Sequence, residues 1–367
     1  MFKKILFIIS ALAFATLSAD CARCEPDPCT CPEEPPCCDV PTAPTTAAYN
    51  KGANIDVCGS WDFYVTGTFL YWQPIQEQMD VAALNFPPPN VNIPGVGTLF
   101  DFDFDWKPAF KVGIGYAWDY DNWETYVQYT RINTTMTKSV ALGTDAIAAG
   151  ELIAEGWDTT QPNTSPALTP NGVSGKWSLN HNVIDLEFGR PYYNGTCLTF
   201  KAHYGLKGGW IDQSYEQTIS ELADSVIITN LKSDSWLIGP RAGLYTNWEL
   251  GEGFRFFGNA AASLFYQKFT KVNYREAYIS NPNQQWAAFD YSTQAINASI
   301  DMLLGAGWGT YFDRNNWHFD LFAGYEAQLF LDQNLLRYLH QETINSDVTK
   351  AGNLMFHGLN VTARVDF

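Results

Sequence analysis

The last residues of the chain, HGLNVTARVDF at 357–367, alternate almost without fault. Leu359, Val361, Ala363, Val365 and Phe367 are apolar, and Asn360, Thr362, Arg364 and Asp366 between them are polar. Successive side chains of a strand point to opposite faces, so the pattern predicts a strand with one apolar and one wet face running to the final residue. The same period of two fills PAFKVGIGYAWDYDNWETYVQYT. There Trp106, Pro108, Phe110, Val112, Ile114 and Tyr116 oppose Lys107, Lys111, Gly113 and Gly115. After the turn DYDN, Trp123, Thr125, Val127 and Tyr129 return on the first face, opposite Glu124, Tyr126 and Gln128. Similar runs surround Phe200, Leu244, Leu264, Ile300 and Leu321, and an early run puts Trp61, Phe63, Val65, Phe69 and Tyr71 on one face. Within 176–189 the apolar phase switches from Trp177 and Leu179 to Ile184, Leu186 and Phe188, which predicts a bulge.

Ten strands follow, near 60–72, 98–118, 123–135, 176–190, 196–212, 233–248, 254–271, 294–312, 317–331 and 353–367; a hairpin hidden in 135–175 would make twelve. They are much longer than the roughly five to six residues of a usual globular strand, which argues against a soluble sandwich. DYDN, RPYYNG, ELGEG and DRNN are short connections, whereas 73–99, 135–175, 213–232, 272–293 and 332–352 are long. An even strand count with short turns on one side and long loops on the other marks an outer-membrane barrel, the short turns being periplasmic. Aromatic residues bracket each short turn (Trp118 and Trp123, Phe188 and Phe200, Trp248 and Phe254, Phe312 and Trp317). A second set, Trp106, Tyr129, Trp177, Trp210, Trp236 and Tyr266, lies one membrane crossing further along. Two such girdles suit a wall facing lipid and lipopolysaccharide. Residues 60–367 are therefore expected to form an all-β, antiparallel, up-and-down transmembrane barrel.

Composition narrows the partners. Charged residues are 17% and aromatics 15% of the chain, and the formal net charge is −17. No basic run exists beyond Lys3-Lys4, which argues against nucleic acid as a partner. Those lysines open a three-part secretory signal, expected over 1–19, whose apolar stretch Ile5 to Leu17 is short for a bilayer span. Residues 20–59 read as a disordered, periplasmic tail, rich in Pro and acidic residues, with Cys21, Cys24, Cys29, Cys31, Cys37 and Cys38 as its Cys-rich set. Asp20 before Cys21 disfavours lipid attachment. The one Cys-x-x-Cys lacks a second pair at zinc-ribbon spacing, so disulfides are the stronger reading in an exported protein. They would join tail cysteines to one another, to a second copy or to other Cys-rich envelope proteins, with Cys58 and Cys197 as further candidates.

FKVGIGYAWDYDNWETYVQYTRIN resembles a signature of the pore-forming major outer-membrane proteins of Legionella and chlamydia-related bacteria. The resemblance is carried by Gly113–Tyr116 (Gly-x-Gly-Tyr), the Asp-rich turn closed by Trp123, and Tyr129-Thr130; LLGAGWGTYFDRNNWHFDLFAGYE repeats the scheme. It covers 60–367 and implies a porin-like function with no catalytic residues, cofactor or metal to carry over. The Cys-rich tail resembles those of disulfide-stiffened chlamydial envelopes. The terminal Phe367 resembles the insertion signal read by the outer-membrane assembly machinery.

The face opposite the apolar one supplies the candidate pore residues. Lys107, Lys111, Lys201, Lys207, Arg241 and Arg255 stand against Asp185, Glu187, Asp301, Asp320 and Glu326. Unpaired charge in a closed interior is costly, so water or partners are required. The expectation is a watered lumen for small hydrophilic solutes or ions. FDFDFDW at 100–106 would place Phe100, Phe102, Phe104 and Trp106 toward lipid, and Asp101, Asp103 and Asp105 inward as an acidic, cation-favouring segment near the extracellular mouth. A solvated strand end is the plainer reading, and calcium would need six to eight oxygen ligands. The alternative function is a structural or adhesive barrel, because an interior of this width is readily filled by side chains. An enzyme is not expected. GAGWG at 305–309 opens no helix, and His203 and His318 face inward without an acid–His pair at the extracellular rim.

The tail generates one prediction. Whole envelopes run on a gel without reductant, thiols blocked at lysis, should show the protein in disulfide-linked multimers that collapse to monomer on reduction. A monomer band in both lanes would exclude links between chains.

Overall fold

The computed structural model describes residues 50–58, 61–84, 98–118, 121–143, 153–155, 157, 170–221, 226–280, 285–343 and 351–367. The expected signal and the tail cysteines Cys21, Cys24, Cys29, Cys31, Cys37 and Cys38 lie outside them. In chain order the elements are β1 (Phe63–Gln76), β2 (Asp80–Leu84), β3 (Thr98–Asp101), β4 (Lys107–Ala117), β5 (Glu124–Ala141), β6 (Ile153–Glu155), β7 (Pro170–Tyr193), β8 (Leu198–Glu221), β9 (Val226–Gly251), β10 (Phe254–Tyr278), β11 (Gln285–Phe312), β12 (Trp317–Phe330), α1 (Leu335–Thr343) and β13 (Leu354–Asp366). Ten strands close a barrel in the order β1-β13-β12-β11-β10-β9-β8-β7-β5-β4, with β4 returning to β1. β2, β3 and β6 form a separate three-stranded sheet.

Closure rests on the alternating C-terminal strand. β13 pairs antiparallel with β1 from Tyr64↔Asp366 to Gln76↔Leu354, and on its other edge with β12. Phe367 is held too: its N–H donates to the Phe63 carbonyl at 3.0 Å, and its ring lies 5.6 Å from that of Trp317. The predicted faces hold along most of the wall. Phe69, Phe110, Val112, Ile114, Leu264 and Leu321 are all exposed, on the outside, while Lys111, Lys207, Arg241, Asp301 and Asp320 are buried inside. Short turns gather at one end and use left-handed backbone, as tight connections between twisted strands require. Asp121 and Asn122 have φ of 55° and 57°, and Gly253, between β9 and β10, has 79°.

Three expectations change. First, β7 has no bulge within 176–189: its pairing with β5 is continuous there, and Trp177, Leu179 and His181 all point inward with Asp185. Trp177 is therefore no girdle residue. Second, the connections β8–β9 and β10–β11 are not long loops, because these strands continue as paired hairpins to Ser220↔Val226 and Ala277↔Gln285. The wall from β7 to β11 rises far above the low side formed by β12, β13, β1 and β4. Third, 98–118 is not one strand. β3 leaves the wall to pair with β2, and β6 from the 135–175 region pairs with β2 as well, so this region adds no wall hairpin.

These departures share one cause. The half of the lumen opposite the short turns is filled by an apolar plug. Val81, Ala82, Ile153 and Trp157 from the small sheet and its continuation, with Leu335, Leu336 and Leu339 of α1, pack against inward wall residues such as Trp72, Trp177, Tyr215 and Phe356. The α1 apolar residues share one face at helical spacing. Its N-terminus is capped by Asn334, whose Oδ1 accepts the Arg337 N–H at 3.1 Å while its Nδ2 donates to the Glu77 carbonyl at 2.8 Å.

The lipid-facing assignment is testable on β4. Val112→Arg should lower the stability of the reconstituted barrel by about 2–4 kcal/mol, read from urea unfolding in bilayers, because a midplane charge meets hydrocarbon. Unchanged stability would place that face elsewhere.

Candidate functional site

The lumen is layered along its axis, and each layer follows from which inward positions the strands supply. At the short-turn end lies a chamber of ≈ 590 Å³ whose lining includes Glu124, Lys201, Arg255, Asp320, Tyr311 and Arg364. Lys201 bonds Glu124. The Arg255 guanidinium sits 2.6 Å from Asp320, and Arg364 lies over the Tyr64 ring and 2.5 Å from Asp366. His318 Nδ1 is 3.1 Å from the same Asp366.

At mid-barrel the space narrows to ≈ 150 Å³. Lys207 Nζ stands 3.0 Å from Asp301 and 3.6 Å from Asp185. Arg241 bonds Asp301 and also reaches Glu187 at 3.1 Å. Lys111 Nζ donates to Glu326 at 2.5 Å, and Asn360 donates to the other oxygen of that carboxylate at 2.7 Å. Lys207–Asp301, both Arg241 pairs and Lys111–Glu326 skip at least one strand, so these bonds cross the lumen, whereas Lys207–Asp185 and Asn360–Glu326 join neighbouring strands. The expected mixed-charge interior is present, and its partners are other side chains.

Above this layer the plug begins, and cations meet rings at the boundary. Lys111 Nζ is 5.3 Å from the Trp72 ring centre and Lys207 Nζ is 5.2 Å from that of Phe330. Cations over aromatic faces are attracted to the ring quadrupole, so one ammonium serves both the ionic and the apolar layer. His181 is fully buried here between Phe330 and Phe356, with centroids at 5.1 and 4.8 Å, and neither ring nitrogen has a hydrogen-bond partner.

The acidic segment is placed otherwise than expected. Phe102 and Phe104 turn inward, edge-on to Tyr215 at 6.2 Å and to Trp177 at 5.7 Å. Asp101, Asp103 and Asp105 consequently point to solvent, where Asp103 meets Lys138 at 2.5 Å and Asp105 meets Lys107 at 3.4 Å. The reason is that 102–106 has left the wall, so its alternation is read against the plug instead of against lipid. Asp101 is brought beside Asp80 by the β2–β3 pairing; partial burial, then that neighbouring carboxylate, push its carboxyl above the usual range. Lys107 stays at the rim of β4, half-buried.

At the other end, residues 50–58 cross the mouth of the chamber. Ala53 N–H donates to Pro191 O at 3.1 Å, Tyr193 N–H to Lys51 O at 3.0 Å, and Cys58 N–H to Asn315 O at 2.8 Å. This strap links the β7–β8 and β11–β12 turns, and Ala53, Asn54 and Ile55 form part of the chamber lining. Cys58 and Cys197 are each disulfide-bonded. Sequence reasoning overlooked Glu124, Arg364 and Asp366 as lumen charges, although all three sit on the polar side of recognised alternations. Trp157 carries no periodic signal at all.

The charge layer yields a prediction. Lys207→Met should destabilise the barrel by about 3–5 kcal/mol, since it strands buried carboxylates, while adding Asp301→Leu should recover part of the loss. A double variant as unstable as the single would argue against coupling across the lumen.

A family model described as "Legionella pneumophila major outer membrane protein precursor" matches residues 57–367. No curated protein matches the chain. Among solved structures, the outer-membrane protease OmpT of Escherichia coli aligns at 10% identity and a TM-score of 0.41, covering 86% of this chain and 99% of its own. The CymD monoaromatic hydrocarbon channel aligns at 7% identity and 0.26, covering 83% and 88%. The P. putida toluene transporter TodX aligns at 8% identity and a TM-score of 0.21, covering 83% and 90%. At such scores these likenesses carry no argument about activity.

Proposed function

Because the chain belongs to the Legionella major outer membrane protein family, we propose that it serves as a porin-like channel for small hydrophilic solutes or ions, closed in the conformation described above. The observation that carries this reading is the charged chamber of ≈ 590 Å³ at the short-turn end. A barrel of this width can fill its interior with side chains. This one keeps a polar space there and builds its closure from connections, β2, β3, β6 and α1, so the plug can shift while the β1–β13 seam stays shut. In this reading the strap, the Cys-rich tail and the chamber face the periplasm, and the plug faces outward amid lipid and lipopolysaccharide. Phe367 presents the terminus to the assembly machinery, and the cysteines tie the tail to other copies or other Cys-rich envelope proteins. No catalytic step is part of it.

A permanently closed structural barrel is the second reading, favoured by the plug itself, in which Trp72, Trp157 and Phe356 are fully buried. Planar-bilayer recordings of wild type and Trp157→Ala separate the two. Removing that indole loosens packing by about 3–5 kcal/mol. The channel reading expects rare openings in wild type and an open probability raised at least about a hundredfold in the variant, at a decade per 1.4 kcal/mol. Silence from both, with folded barrels verified by heat-modifiable gel mobility, leaves the structural reading standing.

A further inference from the structure

Where β1, β13 and β12 adjoin, the outer wall is concave. Tyr71, Trp106, Ala323, Gly324, Tyr325 and Leu359 line an open groove of ≈ 610 Å³. Its builder is not a wall residue. Trp106 precedes β4 and lies over Gly358 of β13, where an added Cβ would strike the indole and where the backbone φ is 150°. Glycine alone suits both conditions. The indole stacks on Tyr71 with centroids 5.7 Å apart and meets the His357 ring edge-on at 5.4 Å. His357 Nδ1 is 2.6 Å from the Tyr325 hydroxyl, and the two rings are 6.0 Å apart. Four rings thus run Tyr71, Trp106, His357, Tyr325 in a horseshoe around a floor of Leu359, Ala323 and Gly324.

The position of the groove says what meets it. Tyr71, Leu359 and Tyr325 form one register row across three strands, and Phe69, Val361 and Ala323 form the next row toward the short turns. Both rows belong to the outward face of the wall, on the short-turn side of Trp106. The lining is uncovered by the protein, with Tyr71 44%, Leu359 44% and Tyr325 55% exposed. Among the described residues no charged side chain lines it, so none of them selects a cationic or anionic headgroup. A flat wall touches a hydrocarbon chain on one side only, whereas even a shallow, open groove adds contact along its flanking rings. The rings are already ordered by one another, so seating a chain freezes few rotamers.

We propose that this groove binds one acyl chain of a membrane lipid from the leaflet at the plugged end, laid between Trp106 and Tyr325 across the closing seam. Its test uses the full chain. Ala323→Phe fills the groove from an exposed position that requires no repacking, and Val112→Phe adds the same ring to the lipid face of β4 as a control. Lipid retained through purification in mild detergent is counted by native mass spectrometry. In reconstituted bilayers, quenching by phospholipids with dibrominated chains is assigned to Trp106 by difference from Trp106→Phe. Wild type and Val112→Phe should retain the lipid, and Ala323→Phe should retain about tenfold less, as a loss of one decade in affinity implies, with the Trp106 quenching falling alongside. Equal retention in Ala323→Phe overturns the proposal, as does equal loss in the control. A change of oligomeric state in Ala323→Phe with lipid retention intact also overturns it, by showing that a second copy covers the groove.

Discussion

The pairing of β13 with β1 is the condition on which everything else rests. Hydrocarbon offers no partner to a free amide or carbonyl, so a sheet crossing it must leave no edge. One antiparallel seam, from Tyr64↔Asp366 to Gln76↔Leu354, meets that demand. Ten strands joined in a ring then fix how wide the interior is, and width decides what side chains can do there. Lys111 on β4 reaches Glu326 on β12, and Lys207 on β8 reaches Asp301 on β11. A wider cylinder would separate these partners and leave each charge to water.

Along its axis the interior answers the same problem in two ways. Near the short turns, polar groups are kept and paired, because an uncompensated buried charge costs several kcal/mol. In the other half the wall turns its inward positions apolar, and connecting segments fold back to cover them. The change occurs on single strands: on β7, Asp185 and Trp177 point into the same lumen, with His181 between them. Lys111 and Lys207, each beside an aromatic ring, join the two halves.

Much of this was legible from alternation alone. The ten wall strands, the inward lysines and arginines, and the partners Asp301, Asp320 and Glu326 all follow from a period of two. What alternation cannot reveal is what a face looks at. Trp177 and Leu179 were apolar because they meet the plug, yet an apolar face on a membrane strand reads first as lipid-facing, and a bulge was inferred to reconcile the phases. Phe102 and Phe104 misled in the same way, and drew Asp101, Asp103 and Asp105 to the wrong side with them. The strap and Trp157 lie in segments without a period, where only three-dimensional neighbours assign a role.

The cross-lumen bonds also govern how such a sequence can drift over generations. A residue on the outer face answers only to hydrocarbon, which accepts one bulky apolar group much like another, so those sites can exchange singly and often. Positions 111 and 326, or 207 and 301, answer to each other across sequence separations of 215 and 94 residues. A charge lost at one is tolerated only with a change at the other. Descent should therefore leave these sites linked, changing together or hardly at all, while the surface around them diversifies until overall identity between relatives has faded.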